Sequence, residues 1–300
     1  MASFSAGDAM GAGFALIRRR PISVFVWGLF AVAAVYLPMI PALGAVVPTY
    51  LELIQVSLHP GATPDVAHVM AIESRLFGAM MWMWPLALVA ATINIAAVFR
   101  AVLEPNNRGF AYLRIGMQEV WLAVLMFVEF LLVMVFTAAA GLIVALLCVA
   151  TARYMGPAMA VVAGVAGGFA SVILLLWIGL RLSLAAPMTF AERRLRLFES
   201  WRLTRGHAGQ LLLLAVLLLV LLMGVGLVLQ VIEGVGFLFF DPFTARPDAV
   251  RAWLAHPPAV TVWGPWAAGC GVVLAVYIGV VRAVMSAPWA AAYRSLTGES

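Results

Sequence analysis

Ionisable and amide side chains inside long apolar runs are the residues of this chain that could do chemistry, because burying them in hydrocarbon is costly and needs a reason. Glu129, within VLMFVEFLLVM, is the clearest. Charged, it calls for a partner such as Arg181 or Arg282; desolvated, it could instead stay protonated. Asn94, Gln230 and Glu233 are the other polar groups in such runs. One reading is a proton or solute path through a helix bundle. The plainer one is a set of interhelical hydrogen bonds, with a carboxylate near the interface of an overlong helix.

A second group is basic. Arg100, Arg181 and Arg282 each close an apolar run and each is followed by proline five or six residues later, in RAVLEP, RLSLAAP and RAVMSAP. Such arginines snorkel to the interface or hold an anionic headgroup. From Arg181 to Gly206 six arginines occur, namely Arg181, Arg193, Arg194, Arg196, Arg202 and Arg205, among leucines and aromatics. A segment at the lipid headgroups has this composition, since guanidinium reaches phosphate while apolar neighbours sink into the acyl boundary. Arg100, Arg181, Arg193, Arg194, Arg196, Arg202, Arg205 and Arg282 are therefore the candidate lipid-headgroup or anion contacts. Asn94, Glu129 and Glu233 form the candidate intramembrane polar site.

Catalytic and metal chemistry find little footing. There is no HExxH, GxSxG or GxxxxGK[ST] pattern. His59, His68 and His256 match no ligand spacing, and Met80, Met81 and Met83 are adjacent rather than spaced to converge on copper. Cys148 and Cys270 both fall in apolar runs, which suits small packing residues. We expect no catalytic residue, no metal and no cofactor.

The elements that position these residues follow from composition. The chain is 65% hydrophobic and only 10% charged, too apolar to cover a water-soluble fold. Several runs exceed the ~20 residues a helix needs to cross ~30 Å of hydrocarbon. The fold class is thus all-α, a polytopic transmembrane helix bundle forming a single membrane domain. Six spans are expected at about 22–47, 76–103, 120–154, 158–187, 210–240 and 260–288, with interfacial amphipathic segments at about 4–20, 106–118 and 188–206. Pro38 and Pro41 should kink the first span, and the stretch 48–75 should hold short amphipathic pieces.

The three arginine–proline exits recur with aromatic and basic pieces ending in glycine: FAYLRIG, SWRLTRG and AYRSLTG. The six spans accordingly read as three hairpins linked on one side. That side would carry fourteen of the 18 basic residues, all of them arginine. By the positive-inside rule it is cytoplasmic, with both termini. The expected location is the bacterial inner membrane, multi-pass.

The segment PMTFAERRLRLFESWRLTRGHAGQLLLL, together with AVLEPNNRGFAYLRIGMQE, resembles a bacterial group named after the membrane domain of glycerophosphoryl diester phosphodiesterase. The matching positions are Arg181, Pro187, Ser200, Trp201, Arg202, Thr204, Arg205 and Gly206. The resemblance implies six spans and membrane architecture. The catalytic barrel that gives the group its name has no counterpart in this sequence, so no phosphodiesterase activity is expected.

The function read from the residues is a non-enzymatic lipid-associated or partner-docking membrane module. Anionic lipid headgroups are its expected partners, with a membrane or cytoplasmic protein second and no nucleic acid. The alternative is a small-solute or ion transporter or channel using Glu129 and Asn94.

Overall fold

The computed structural model describes residues 5–39, 46, 48, 49, 66–106, 109–239 and 260–298. Among them every regular element is helical: α1 (Ala6–Arg19), α2 (Pro21–Ala31) running on into a π-helical turn (Val32–Tyr36), α3 (Val66–Met81), α4 (Met83–Leu103), a 3-10 turn (Phe110–Tyr112), α5 (Met117–Met155), α6 (Pro157–Leu182), α7 (Ala185–Glu192), α8 (Glu199–Leu203), α9 (Ala208–Phe239) and α10 (Val260–Thr297). Six helical stretches are long and apolar enough to cross a membrane: Pro21–Met39 and the bodies of α4, α5, α6, α9 and α10. The chain is an all-α, six-span membrane protein.

Local signals account for the helix ends. Ser5 caps α1 by accepting the Asp8 N–H at 3.4 Å, and Arg18 and Arg19 sit in its last turn, where cations complement the helix dipole. Pro21 occupies the first position of α2 and Pro157 that of α6, where a missing N–H is harmless. Gly156 alone joins α5 to α6, with φ at +93°, a conformation that favours glycine. Pro38 has no N–H to give and its ring crowds the carbonyl four residues back; the turn just before it widens into the π-helical segment.

Packing does not simply follow chain order. The α5–α6 pair is a tight hairpin, with Gly164 and Gly167 of α6 against Cys148 and Val144 of α5. The first span instead makes its most extensive contact with the last. Gly28 of α2 lies against the Ala275 carbonyl of α10, and Gly279 of α10 against the Val24 carbonyl of α2, so closely that a Cβ at either position would overlap the opposing backbone. The helices are antiparallel there and meet backbone to backbone. Ala275, Gly279, Ala283 and Ala287 recur every fourth residue on α10, giving it the small-residue face such an approach requires.

The N-terminal segment, expected at the interface, is also part of the core. Ala6, Ala9 and Leu16 of α1 are buried, and Ala6 and Ala9 pack with Ala292 and Tyr293 of α10, so the two ends of the chain share one end of the bundle. Gly13 makes this possible: a Cβ there would sit 2.9 Å from the Val284 Cα. The stretch 188–206 likewise begins inside. Pro187, Met188, Thr189 and Phe190 of α7 are buried, and the chain reaches the surface at Glu192.

The α5–α6 hairpin stands apart from this core. Helix α5 has 39 residues, roughly 58 Å at 1.5 Å per residue, about twice a hydrocarbon core. Its first turns pack on α4 and α7 through Leu122 and Leu125, while most apolar side chains farther along are exposed, as lipid-facing residues are.

Candidate functional site

The densest polar arrangement lies where α4 ends and α5 begins. Arg100, one turn from the end of α4, is only 2% exposed and forms a buried ion pair with Glu119 in the first turn of α5. Its Nη1 donates to the Tyr112 carbonyl at 2.6 Å, and its Nη2 also reaches Gln118 Oε1 at 3.4 Å. Gln118 Nε2 in turn donates to Glu104 Oε1 at 3.1 Å and to the Phe190 carbonyl at 3.3 Å. The guanidinium lies 5.4 Å from the centre of the Phe190 ring, which meets Phe99 edge-on at 5.9 Å. Thus α7, the start of the second exit, covers the arginine of the first.

The chain linking α4 to α5 is bent to suit. Ala111 and Tyr112 are consecutive non-glycine residues with positive φ, 49° and 60°, each costing on the order of 1–3 kcal/mol. Both carbonyls are claimed from the core: Trp27 Nε1 donates to Ala111 at 2.6 Å and Arg100 to Tyr112. Tyr112 itself is buried, its hydroxyl donating to the Pro105 carbonyl at 3.3 Å. An open cavity of about 280 Å³ adjoins this turn, lined by Arg100, Gly109, Tyr112, Leu113 and Arg114.

The other two exits solve the same problem differently. Arg181 sits between two tryptophans, 5.6 Å from Trp177 and 5.8 Å from Trp201, whose rings meet edge-on at 4.9 Å. Ser200 donates to the Arg181 carbonyl at 2.8 Å. The serine and tryptophan of SWRLTRG therefore clamp α8 onto the end of α6. Arg282 is half-buried in α10, which runs through Pro288 without a break to Thr297. Beyond it, Arg294 donates to the Val102 carbonyl near the end of α4 at 3.1 Å, satisfying a carbonyl of that last turn.

The remaining arginines of the basic stretch face outward. Arg193, Arg194, Arg202 and Arg205 are exposed. Arg193 adopts φ 55° as α7 ends, and the following turn is fixed by the Arg196 N–H donating to Thr189 Oγ1 at 3.0 Å. Arg196 is also paired, with Glu192 at 2.8 Å and Glu199 at 2.9 Å. These contacts hold the Glu199 carboxyl below its ordinary value, first through the Arg196 hydrogen bond and then through a backbone one.

Of the intramembrane polar residues, Asn94 and Glu129 make no hydrogen bond to one another. Asn94 is 1% exposed, with neither amide atom hydrogen-bonded among the described residues. It falls in the row Ala90, Asn94, Ala97, Ala101 of α4, and Ala97 packs with Trp27, Ala283 and Ala287. Thr92, on the opposite side of the helix, meets α5 at Met126 Sδ, 3.4 Å away. Glu129 lies on α5 with no hydrogen-bond or ion-pair partner among the described residues. Gln230 is exposed, and the side chain of Glu233 lies outside the described residues.

Cys148 and Cys270 are free thiols, the first half-buried and the second exposed. His59 and His256 lie outside the described residues, and among those described no three His, Cys, Asp or Glu side chains converge as metal ligands would.

Arg100 could be suspected from the arginine–proline pattern, but its partners Glu119, Gln118 and Phe190, and Trp27 beside them, could not. Each looks unremarkable at its place in the sequence. What selects them is the fold. In comparisons with family models, curated proteins and solved structures, the chain matches none.

Proposed function

We propose that this six-span protein is a non-enzymatic module of the bacterial inner membrane that gathers anionic lipid headgroups on its arginine-rich, cytoplasmic end and offers that surface to a membrane or cytoplasmic protein partner. One observation carries the reading: Arg193, Arg194, Arg202 and Arg205 are exposed on a segment clamped to α6 by the Trp177–Arg181–Trp201 stack. Exposed guanidinium groups at a span exit suit lipid phosphate, with roughly fivefold in affinity per arginine near an anionic surface. The resemblance to the membrane domain of glycerophosphoryl diester phosphodiesterase agrees with a membrane role and adds no catalytic one.

The test is reconstitution into neutral and anionic nanodiscs. The wild type should favour anionic lipid in a salt-sensitive manner, and replacing the four arginines by glutamine should lower that preference at least tenfold. Equal behaviour of the two proteins would remove the proposal. A reporter fused to the C-terminus should give a cytoplasmic signal.

The orphan amide of Asn94 motivates a transport reading, in which Asn94 and Glu129 serve a solute or ion path. That the two make no hydrogen bond to one another counts against it. Proton or ion flux in sealed liposomes that Glu129→Gln abolishes would restore it.

A further inference from the structure

The lipid-headgroup reading rests on the exposed arginines of 193–205, but the cavity beside Arg100 is a different place with a more selective chemistry. Arg100 is 2% exposed, and while its Nη atoms are engaged, its Nε has no hydrogen-bond partner among the described residues. A buried guanidinium N–H without an acceptor is an unmet demand for an anionic or carbonyl oxygen. Arg100 lines the cavity, and so does Arg114, which is exposed. Tyr112 and Leu113 supply the apolar part of the wall.

Charge counting sets the ligand. Glu119 already neutralises Arg100, so one uncompensated positive charge, on Arg114, remains among the lining residues. A single negative charge balances it, as a phosphodiester carries; a phosphate monoester would bring close to two. The volume, about 280 Å³, is on the order of nine waters' share of liquid, enough for a phosphate with a short polyol and too little for an acyl chain.

The surroundings favour a lipid as the source. Phe110 is 79% exposed and Ile115 82%, and both belong to the turn that carries Arg114. Exposed apolar residues flanking a basic one at a span exit sink into the acyl boundary and bring the cavity mouth to headgroup level.

We propose that the cavity formed by Arg100, Tyr112, Leu113 and Arg114 is a binding site for one singly charged phosphodiester, that of an anionic lipid headgroup, with Arg100 Nε and the Arg114 guanidinium donating to its oxygens. This rests on the lipid-associated reading and narrows it to one stoichiometric site.

The experiment is native mass spectrometry on the full chain in detergent, titrated with phosphatidylglycerol and, separately, with its soluble headgroup glycerophosphoglycerol. The wild type should retain one tightly bound lipid per chain. Arg114→Ala should weaken that site about 10- to 100-fold, the loss of one charge-assisted contact, and Arg114→Lys should recover part of it. The double variant Arg202→Ala/Arg205→Ala should keep the tight site while losing looser, salt-sensitive lipid; loss of neither population in that arm would tell against the general headgroup reading alone. Binding of the intact lipid without its soluble headgroup identifies the lipid as source. Equal binding of the soluble headgroup identifies a free phosphodiester at the same site. No tight binding of either, or unchanged binding by Arg114→Ala, overturns the proposal.

Discussion

Trp27 donates its indole N–H to the carbonyl of Ala111, 84 residues later, at 2.6 Å. The bond ties the first span to the left-handed turn that presents Tyr112 to Arg100. Replacing Trp27 by Phe keeps an aromatic ring but leaves a part-buried carbonyl unanswered, at about 1–3 kcal/mol. Equilibrium unfolding in mixed micelles should register that loss, and limited trypsin digestion should cut faster after Arg114, the basic residue just beyond the turn. Unchanged digestion would mean that the turn holds without Trp27.

The Arg100–Glu119 pair makes a sharper distinction. Glu119→Gln strands a buried guanidinium and should cost about 3–5 kcal/mol in the same unfolding experiment. The double change Arg100→Met/Glu119→Leu removes both charges and should come much closer to the parent, because an apolar pair avoids the desolvation that an ion pair must overcome. If the double variant is as unstable as the single one, the carbonyl and amide contacts of Arg100 matter more than its charge balance.

The contact between the first and last spans predicts a contrast among glycines. Gly279→Leu would force α10 away from the Val24 backbone and should destabilise by at least about 3 kcal/mol. Gly168 in α6 faces open space, and Gly168→Ala should be neutral or stabilise by about 0.5–1 kcal/mol through helix propensity. Paired unfolding curves decide the matter.

The turn between α7 and α8 should respond to acid. Glu199 has its carboxyl lowered from an ordinary 4.5 by Arg196, so its contribution is present above the ordinary value and is lost as pH falls through the lowered one. Arg196→Gln should move the Glu199 titration, followed by carboxyl NMR, upward toward 4.5. Global stability should barely change, because exposed pairs contribute little.

The number of spans was legible because hydrophobic length is a property of single segments. The exit arginines Arg100 and Arg181 were legible as positions but not as contacts. Nothing near Arg100 in the sequence points to Phe190 or Trp27, since periodicity tells which face of a helix is apolar and not which helix covers it. The three exits read alike, yet the chain leaves α4 through a left-handed turn, leaves α6 through α7 and a tryptophan clamp, and passes Pro288 within an unbroken α10. One packing signal was present: the fourfold spacing of Ala275, Gly279, Ala283 and Ala287 marks a close-approach face. Helix α1 reads as an interfacial arm because its apolar face is made of small residues, which look weakly hydrophobic but permit contact with α10.

The pairing of the first span with the last also sets an order of assembly. During synthesis α1 and α2 emerge first, yet Gly28, Trp27 and Val24 meet Ala275, Gly279, Ala283 and Ala287 only once α10 has been made. The α5–α6 hairpin has its partner next to it in the chain and can close as soon as it enters the bilayer. Until α10 has been inserted, the N-terminal segments have their small-residue faces unmatched, and the Trp27 bond cannot hold its turn against a finished core. Helix α10 is the keystone: its arrival is the event that completes the packing of α1 and α2 at the end where Arg100 lies.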